Sequence, residues 1–342
     1  MSMAVYKAGT GYALLLTAAL ALALATMSLG PGEVNWQDGL DWLLGRAADA
    51  HAQLVLVDLR LPRLLKAVAL GAALGAAGVL LQAATRNPLA DTGLLGVNSG
   101  AALGVAGGIA WLGESGPADQ IGWALTGALA GCALVLFLAG AGRGRMSPLR
   151  MVLAGLALGA TCQSATAWIA LAGSANLDRF RFWLLGSLAH PHAGLLAPGL
   201  VLIGLGLCAA VALVRPLSAL VLGDELASAL GYRPATVRVC AVGAVALLSG
   251  TSVALAGPIS FLGLLAPYCA RALAGVSLKA QLAYAIPLGS IVMMAADLAA
   301  RLAIAPFEAP VGAVLALIGA PLLIWIVHRE PNLGFSPHGA ER

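Results

Sequence analysis

The sequence predicts an all-α membrane protein that crosses the bilayer many times. Hydrophobic residues make up 60% of the 342 residues and charged residues only 10%, whereas roughly a quarter of the residues of a soluble domain are charged. The few charges cluster between long neutral stretches. These stretches lack the alternation of polar and apolar residues that marks a barrel strand, and unpaired backbone groups are costly in lipid, so helices are the expected spanning elements.

Nine charge-free stretches are candidates for spans, because a helix needs roughly 20 apolar residues to cross the hydrocarbon core. They cover residues 8–32, 67–85, 92–113, 120–142, 151–177, 182–214, 239–270, 280–296 and 309–328. The stretch 239–270 is too long for one helix and too short for two full spans, and Gly257-Pro258 interrupts it. We interpret it as a full helix followed by a shorter one, which gives about ten transmembrane helices in one domain covering residues 1–342.

The first charge-free stretch could be a transmembrane helix or a signal peptide. Small residues near the end of the first stretch also fit a cleaved signal peptide. Because nine further spans follow, we favour a retained first helix. The longest polar segment, residues 31–58, is predicted as an external loop.

Basic residues set the predicted orientation, because cytoplasmic loops are enriched in Lys and Arg. With the N-terminus inside, 12 of the 19 lysines and arginines fall on the cytoplasmic side. Arg143, Arg145 and Arg150 lie together in one such loop. Both termini should therefore be cytoplasmic. The net charge of +4 reflects this asymmetry and does not indicate nucleic-acid binding.

A weak internal repeat relates two parts of the chain. Leu-Pro-Arg at 61–63 begins a helix that ends at Asn87-Pro88, and Arg233-Pro234 begins another that ends at Gly257-Pro258. Gly-Leu-Leu follows each second proline, at 93–95 and 263–265. The copies begin five spans apart, so the second should be inverted, as in transporters built for alternating access. Coincidence is the alternative, because proline and glycine punctuate many membrane helices.

The residue types inside the spans restrict the chemistry. An ion-coupled carrier needs ionisable groups near the midplane, and almost none occur. Asp297 and Arg301, four residues apart near the end of a span, could pair across one helical turn. An intramembrane enzyme needs a serine with a buried histidine or paired aspartates, which are also lacking. The five cysteines are predicted as free buried thiols, and no metal site is expected.

The energy for transport must then come from outside the chain. The sequence contains no Gly-x-x-x-x-Gly-Lys-Ser/Thr loop, the loop that binds nucleotide phosphates. If ATP drives the process, a separate subunit must hydrolyse it. Within the internal segment of about 215–236, residues 222–231 have the size and polarity of a short amphipathic helix capped by glycine.

Small and polar residues occur at positions with two interpretations. Gly71, Gly75 and Gly78 in one span, with Gly155 and Gly159 in another, are predicted to allow close helix packing. Polar residues in the span 151–177 either line a passage between two copies of the chain or hydrogen-bond between helices; these are Thr161, Gln163, Ser164 and Thr166.

Five motifs together resemble the FecCD-type family, the permease subunits of bacterial ATP-driven importers for ferric siderophores, haem and cobalamin. They are Arg-Leu-Pro-Arg at 60–63, Arg-Asn-Pro-Leu-Ala-Asp-Thr-Gly-Leu-Leu-Gly-Val-Asn at 86–98, Gly-Pro-Ile-Ser-Phe-Leu-Gly-Leu-Leu-Ala-Pro at 257–267, Glu-Ala-Pro-Val-Gly at 308–312 and Leu-Ile-Gly-Ala-Pro at 317–321. The family often has histidine where this chain has Tyr268, which puts a role for that side chain in doubt.

The resemblance implies a type II ABC importer permease fold in the bacterial cytoplasmic (inner) membrane. It further implies a second permease copy, identical or paralogous, two ATPase subunits that bind ATP and Mg, and a periplasmic binding protein. The chain itself would bind no cofactor. Segments 85–88, 96–100 and 180–187 favour a ferric siderophore as substrate over the alternatives of haem and cobalamin.

The resemblance also implies roles for particular residues. The coupling helix that contacts the ATPase would include Gly223, Asp224, Glu225, Ala227, Ser228, Leu230 and Gly231. Contact with the binding protein would involve Arg60, Arg63 and Arg301, whose alternative role is to extend towards lipid headgroups. The gate and translocation path would include Asn87, Leu89, Ser147, Leu149, Thr161, Gln163 and Ser164.

Overall fold

A computed structural model describes residues 2–30, 36–44, 50–112, 116–140, 148–172, 180, 183–189, 193–303 and 308–329, which are helical and contain no strand. The helices are α1 Ser2–Ser28, α2 Trp36–Leu43, α3 Ala50–Leu54, α4 Leu61–Thr85, α5 Val97–Leu112, α6 Pro117–Gly140, α7 Pro148–Ala172, α8 Ala193–Val221, α9 Asp224–Ala229, α10 Pro234–Ala256, α11 Leu262–Ala274, α12 Leu278–Ala303 and α13 Val311–Arg329. A π-helical stretch, Val55–Arg60, joins α3 to α4, and a 3-10 turn, Thr92–Leu95, precedes α5.

The described helices confirm the all-α class and the approximate number of spans. Seven helical segments are long and apolar enough to cross a membrane. Helices α5, α11 and α13, with 16, 13 and 19 residues, complete a set of ten. The stretch 239–270 divides as predicted: α10 ends before Gly257, which has a φ of 77°, and α11 begins after Phe261, which has a φ of 66°.

The polar segment 31–58 differs from the predicted loop, because its described residues 36–43 and 50–58 are helical. Ala50–Thr85 forms one apolar helical span of 36 residues. Its first turns are held by a small apolar cluster in which Ala52, Val55 and Leu56 pack with Met27 at the end of α1. The sequence signal was obscured because charged residues interrupt this helix.

Helix α4 is the central element, and most of its residues are buried. Its neighbours approach closely because it carries glycines. A Cβ atom on Gly71 or Gly75 would overlap backbone carbonyl oxygens of α12, and one on Gly78 would overlap the carbonyl oxygen of Gly263 in α11. The predicted packing role of these three glycines is therefore confirmed.

Helices α4 and α10, the first helices of the two repeats, run antiparallel. Each has proline in its first turn, and the two helices pack against each other. Arg86, which directly follows α4, and Arg238, near the start of α10, bind the same carboxylate, that of Asp224. The end of one helix thus lies beside the start of the other, which is the arrangement that an inverted repeat requires.

Two groups of charged residues lie at opposite ends of α4. The arginine-rich cluster consists of Arg60, Arg63, Lys66, Asp297, Arg301 and Glu308, and the Asp224 cluster consists of Arg86, Asp224 and Arg238. Arg63 and Arg86 are 23 positions apart, which corresponds to about 35 Å at 1.5 Å per residue. The two clusters are therefore spaced to flank a hydrocarbon core of about 30 Å.

Candidate functional site

A cavity of about 930 Å³ lies between α5, α7 and the break before α11. It contains no charged lining residue among the described parts of the chain. Its walls include Asn98 and Ser99 of α5, Gln163 and Thr166 of α7, the aromatic ring of Phe180, and Ser260. Apolar walls with a few polar groups are typical of sites that bind small molecules.

The polar residues of α7 divide between two faces of the helix. Gln163 lines the cavity, as does Thr166, whose buried hydroxyl oxygen has no hydrogen-bond partner among the described residues. Thr161 and Ser164 do not line it, and their hydroxyls donate to backbone carbonyls one turn earlier. Of the three α7 residues predicted for the path, the structure therefore brings only Gln163 to the cavity.

Gly155 and Gly159 also face the cavity. Their predicted role was close helix packing, but a Cβ atom on Gly159 would approach only the hydroxyl oxygen of Ser99, at 3.8 Å. Gly159 thus leaves open space on the cavity wall, while the packing role of Gly155 stays a prediction.

The turn after α4 contains two residues of the predicted gate. Arg86 has a left-handed backbone, with a φ of 50°, and Pro88 cannot continue a helix. The Leu89 backbone N–H donates to Asn87 Oδ1 at 3.0 Å, which closes the turn. Leu89 is exposed, as is Leu149 at the start of α7, while Ser147 lies outside the described residues. The gating role of these residues stays a prediction.

Asp91 follows this turn and is a partly buried carboxylic acid that the sequence analysis did not single out. Burial raises the pKa of Asp91, although hydrogen bonds from the Thr92 and Gly93 backbone lower it in part. Its Oδ1 atom, like Oδ1 of Asn98 on the cavity wall, is buried without a hydrogen-bond partner in the described structure. Asp91 belongs to the motif at 86–98, but nothing in one sequence shows that it is buried.

The predicted short helix is present as α9, and a glycine ends it. Gly231 has a φ of 85°, and its N–H donates to the Ser228 carbonyl at 3.0 Å. The Tyr232 N–H donates to the Ala227 carbonyl at the same distance. This pair of hydrogen bonds forms a Schellman motif, which explains why the chain reverses at this point.

The exposed face of α9 differs in part from the predicted ATPase contact. Glu225, Ser228, Leu230 and Gly231 are exposed and Gly223 is half-buried, but Ala227 is fully buried. Burial removes the Ala227 side chain from any contact with a partner, so that assignment is corrected. A methyl group in this position anchors α9 to the rest of the chain.

Three leucines form an apolar row along this segment, and the prediction included only one of them, Leu230. Leu222, Leu226 and Leu230 are spaced by four residues, and each is more than half exposed. Leu226 and Leu230 lie on one side of the helical segment. Leu222 precedes Gly223, whose φ of 133° interrupts the helix. Exposed leucines in a row mark a surface suited to a partner.

The carboxylate of Asp224 is directed into the chain. Arg238, itself buried, donates to it through Nη1 at 3.0 Å and Nη2 at 2.7 Å. Arg86 donates through Nη2, and its Nε also donates to the Leu220 carbonyl oxygen at 2.8 Å. Asp224, predicted as an ATPase contact, therefore has two arginine partners within its own chain.

The surroundings of Asp224 keep it ionised. Partial burial alone would raise its pKa, but the guanidinium groups of Arg238 and Arg86 outweigh burial and hold the pKa below its usual value. The pKa of Asp224 is lower in the folded than in the unfolded chain. The Asp224 cluster therefore stabilises the fold at pH values above the pKa that Asp224 has in the unfolded chain. This contribution is lost as the pH falls through the lowered pKa.

The arginine-rich cluster is centred on Arg63 and Asp297. Arg63 donates through Nε to Asp297 at 2.8 Å and through Nη1 to both oxygens of Glu308, at 2.8 and 2.7 Å. Arg301 Nε lies 3.2 Å from Asp297 Oδ2, so these two residues pair across one helical turn as the sequence suggested. Arg60 Nη1 donates to the Met27 carbonyl oxygen at 2.7 Å.

The three arginines that the resemblance assigns to contact with a binding protein are buried in this geometry, and their docking role stays a prediction. Arg60, Arg63 and Arg301 are only 5%, 9% and 4% exposed, and each has a partner within the chain. Contact with a binding protein or with lipid headgroups would require these interactions to open. Glu308 is the most accessible acidic member of the cluster.

Comparison with known proteins places this arrangement among transporters. The model of the FecCD transport family matches residues 15–329. The ferric enterobactin transport system permease protein FepD of Escherichia coli (strain K12) is 38% identical, over 94% of each chain. The vitamin B12 import system permease protein BtuC of Salmonella paratyphi A (strain ATCC 9150 / SARB42) is 36% identical, over 92% of this chain and 94% of its own.

A solved structure is similar over nearly the same length. It is described as an inward-facing conformation of a metal-chelate type ABC transporter, and it superposes with a TM-score of 0.83 at 27% identity, covering 94% of this chain and 99% of its own. The ten helices, the cavity beside α7 and the short helix α9 thus belong to a multi-pass permease of the ABC importer type. The family match spans most of the sequence, and the chain belongs to the FecCD transport family.

Proposed function

We propose that the chain is the transmembrane permease of an ATP-driven importer that carries a ferric siderophore from a periplasmic binding protein into the cytoplasm. The cavity of about 930 Å³ is the observation that carries this proposal. It has the size of a site for a small-molecule ligand. Its uncharged walls suit a chelate that already encloses its metal, because such a cargo needs no ligands from the protein. The similarity to FepD supports an iron chelate as the cargo.

A second copy of the chain would complete the passage. Helix α7 forms one wall of the cavity, yet it exposes Leu153, Leu156, Trp168 and Leu171 by more than half. Of these, Leu156 and Leu171 also line the cavity. A second permease, identical or paralogous, packed on α7 would cover these side chains and enclose the cavity. The cargo would then pass between the two copies.

A separate pair of ATPase subunits would supply the energy, with ATP and Mg bound there. The apolar row of Leu222, Leu226 and Leu230, with Glu225 beside it, offers the contact surface. An apolar helix face inserted in a groove is a common mode of protein recognition. ATP binding would move α9, and the inner and outer gates would exchange states. This sequence of steps is alternating access.

Cobalamin is the second candidate cargo. The similarity to BtuC, at 36% identity, is almost as high as that to FepD. A large uncharged cavity suits a corrinoid as well as an iron chelate, because both keep their metal within their own ligands. Uptake measurements with both compounds distinguish the two candidate cargoes.

Uptake into proteoliposomes tests the proposal. The permease is reconstituted with its ATPase and binding protein, and uptake of a radioactive iron siderophore is measured with and without ATP. We expect uptake to require all three components and to fall to background in Glu225→Arg, because a reversed charge on exposed α9 disturbs the ATPase contact. The control is Asp119→Arg, the same change at an exposed carboxylate at the start of α6, which should retain uptake within about twofold.

The other outcomes are equally informative. Uptake of cobalamin or haem but not of the iron siderophore would retain the importer mechanism and overturn the cargo. Transport without ATP or partners would overturn the importer mechanism in favour of an ion-coupled carrier.

A further inference from the structure

Helix α9 is attached to the chain through two glycines and few side chains. Gly223 and Gly231, on either side of it, have φ values of 133° and 85°, and a Cβ atom on either would meet nothing within 4 Å. Glycine adopts these positive φ values without steric cost. Helix α9 lies between the two glycines and is held by the buried Ala227 methyl group and by Asp224.

Asp224 connects α9 to three other elements. Its carboxylate binds Arg238 of α10 and Arg86 at the end of α4. Arg86 in turn holds the Leu220 carbonyl oxygen in the last turn of α8. Charge-assisted hydrogen bonds of this kind are stronger than neutral ones. A displacement of α9 therefore acts directly on the residue that ends α4.

Arg86 lies directly before the turn that contains the predicted gate. Its left-handed backbone sets the direction in which the chain leaves α4, and the next residues form the turn closed by Asn87 and Leu89. A change in the position of the Arg86 side chain would thus change the direction of this turn. Among the described residues, the Asp224 carboxylate and the Arg86 guanidinium group connect α9 to this turn.

We infer that Asp224 is a positioning residue that transmits the movement of α9 to the turn at residues 86–89 through its interaction with Arg86, while Arg238 holds the carboxylate in place. This inference rests on the proposed function, since the movement originates in the ATPase. It assigns Asp224 to the transmission of movement within the permease. The contact with the ATPase belongs to the exposed residues of α9.

Hydrogen exchange on the purified permease tests the connection without any partner. We expect Asp224→Asn to accelerate amide exchange at least about tenfold in residues 223–232 and also in residues 86–95. The loss of hydrogen bonds to a charged group raises the equilibrium constant for local opening by about this factor. The conservative variant Asp224→Glu should lie close to wild type, and Asp119→Asn should leave both segments unchanged. Acceleration of 223–232 alone, or of neither segment, would overturn the inference.

Arg86→Gln provides a second variant in case Asp224→Asn fails to fold. It leaves the interaction between Asp224 and Arg238 intact, so the buried arginine keeps its counterion. We expect faster exchange in residues 86–95 with residues 223–232 close to wild type. Unchanged exchange in 86–95 would contradict the assigned role of Arg86.

The reconstituted complex distinguishes transmission from simple attachment. For Asp224→Asn and Arg86→Gln we expect ATP hydrolysis within about twofold of wild type and at least about tenfold less cargo moved per ATP. Asp224→Glu should restore part of this coupling. Equal loss of hydrolysis and uptake would show that the ATPase no longer binds, which overturns the inference. If the wild type moved no iron siderophore, the proposed cargo would fail, while the exchange result would still decide the role of Asp224.

Discussion

Gly78 fixes the distance between α4 and α11. A Cβ atom at this position would overlap the Gly263 carbonyl oxygen and would lie 2.7 Å from its carbon and 2.8 Å from Pro267 Cγ. These neighbours are backbone and a proline ring, so they cannot move aside as a flexible side chain does. We expect Gly78→Ala to lower the free energy of unfolding by about 1–3 kcal/mol, the usual cost of overpacking. Thermal unfolding in detergent measures this change.

Gly243 provides the matched control for this substitution. It lies within α10, and a Cβ atom there would meet nothing within 4 Å. Gly243→Ala should leave the melting temperature unchanged or slightly raised, because alanine favours the helix. Equal melting temperatures for the two variants would show that the backbone contact at Gly78 does not limit packing.

The two acidic residues of the arginine-rich cluster should differ in their contribution to stability. The Asp297 side chain is 3% exposed and neutralises Arg63 and Arg301, whereas Glu308 is 31% exposed. Asp297→Asn leaves buried guanidinium groups without this counterion, and we expect it to cost about 3–5 kcal/mol. Glu308→Gln should cost less than about 1 kcal/mol because water screens this carboxylate.

Denaturation of the two variants in the same detergent measures the difference. The comparison is internal, since both substitutions remove one negative charge and preserve side-chain size. Equal costs, or a larger cost for Glu308→Gln, would contradict the view that burial determines the strength of this cluster.

Among the elements, those with local sequence signals could be predicted. The break between α10 and α11 follows from Gly257-Pro258, since proline cannot extend a helix and glycine adopts the positive φ found there. Helix α9 follows from a short amphipathic segment ended by Gly231. Each of these signals requires only neighbouring residues, so one sequence is sufficient to show it.

The elements that depend on distant contacts could not be predicted. The helix that includes α4 begins at Ala50, although Arg60, Arg63 and Lys66 interrupt its apolar sequence. Arg63 is tolerated there because Asp297, 234 positions later, neutralises it. A pairing at such a distance leaves no periodic signal in a single sequence. For the same reason Arg86 and Arg238 were counted only as indicators of orientation, and Asp224 was assigned to contact with the ATPase.

The residues that line the cavity could be predicted from the sequence only in part. Gln163 and Gly159 lie on one face of α7, while Thr161 and Ser164 do not line the cavity. Helical periodicity separates these residues into two faces. It does not indicate which face is turned to the cavity, because polar residues occur on two faces of α7 and no charged face marks either one. The packing of α5 and the break before α11 supply that information.

At the scale of the whole molecule, the two charged clusters define its ends. The arginine-rich cluster and the Asp224 cluster lie about 35 Å apart along α4, by the rise of 1.5 Å per residue. Each pairs arginine with acidic residues at a membrane boundary. The excess of Lys and Arg in alternate loops predicts that the Asp224 cluster faces the cytoplasm.

Cysteine labelling tests this orientation at two exposed positions. Asp119 is at the start of α6 and Glu225 is in α9, and the three spans α6, α7 and α8 lie between them. An odd number of crossings puts the two residues on opposite sides of the membrane. In a chain whose five native cysteines are replaced, a membrane-impermeant maleimide should label Asp119→Cys in spheroplasts and Glu225→Cys in inverted vesicles. The reverse pattern would overturn the orientation derived from basic residues. Labelling of both residues from the same side would overturn the odd number of crossings between them.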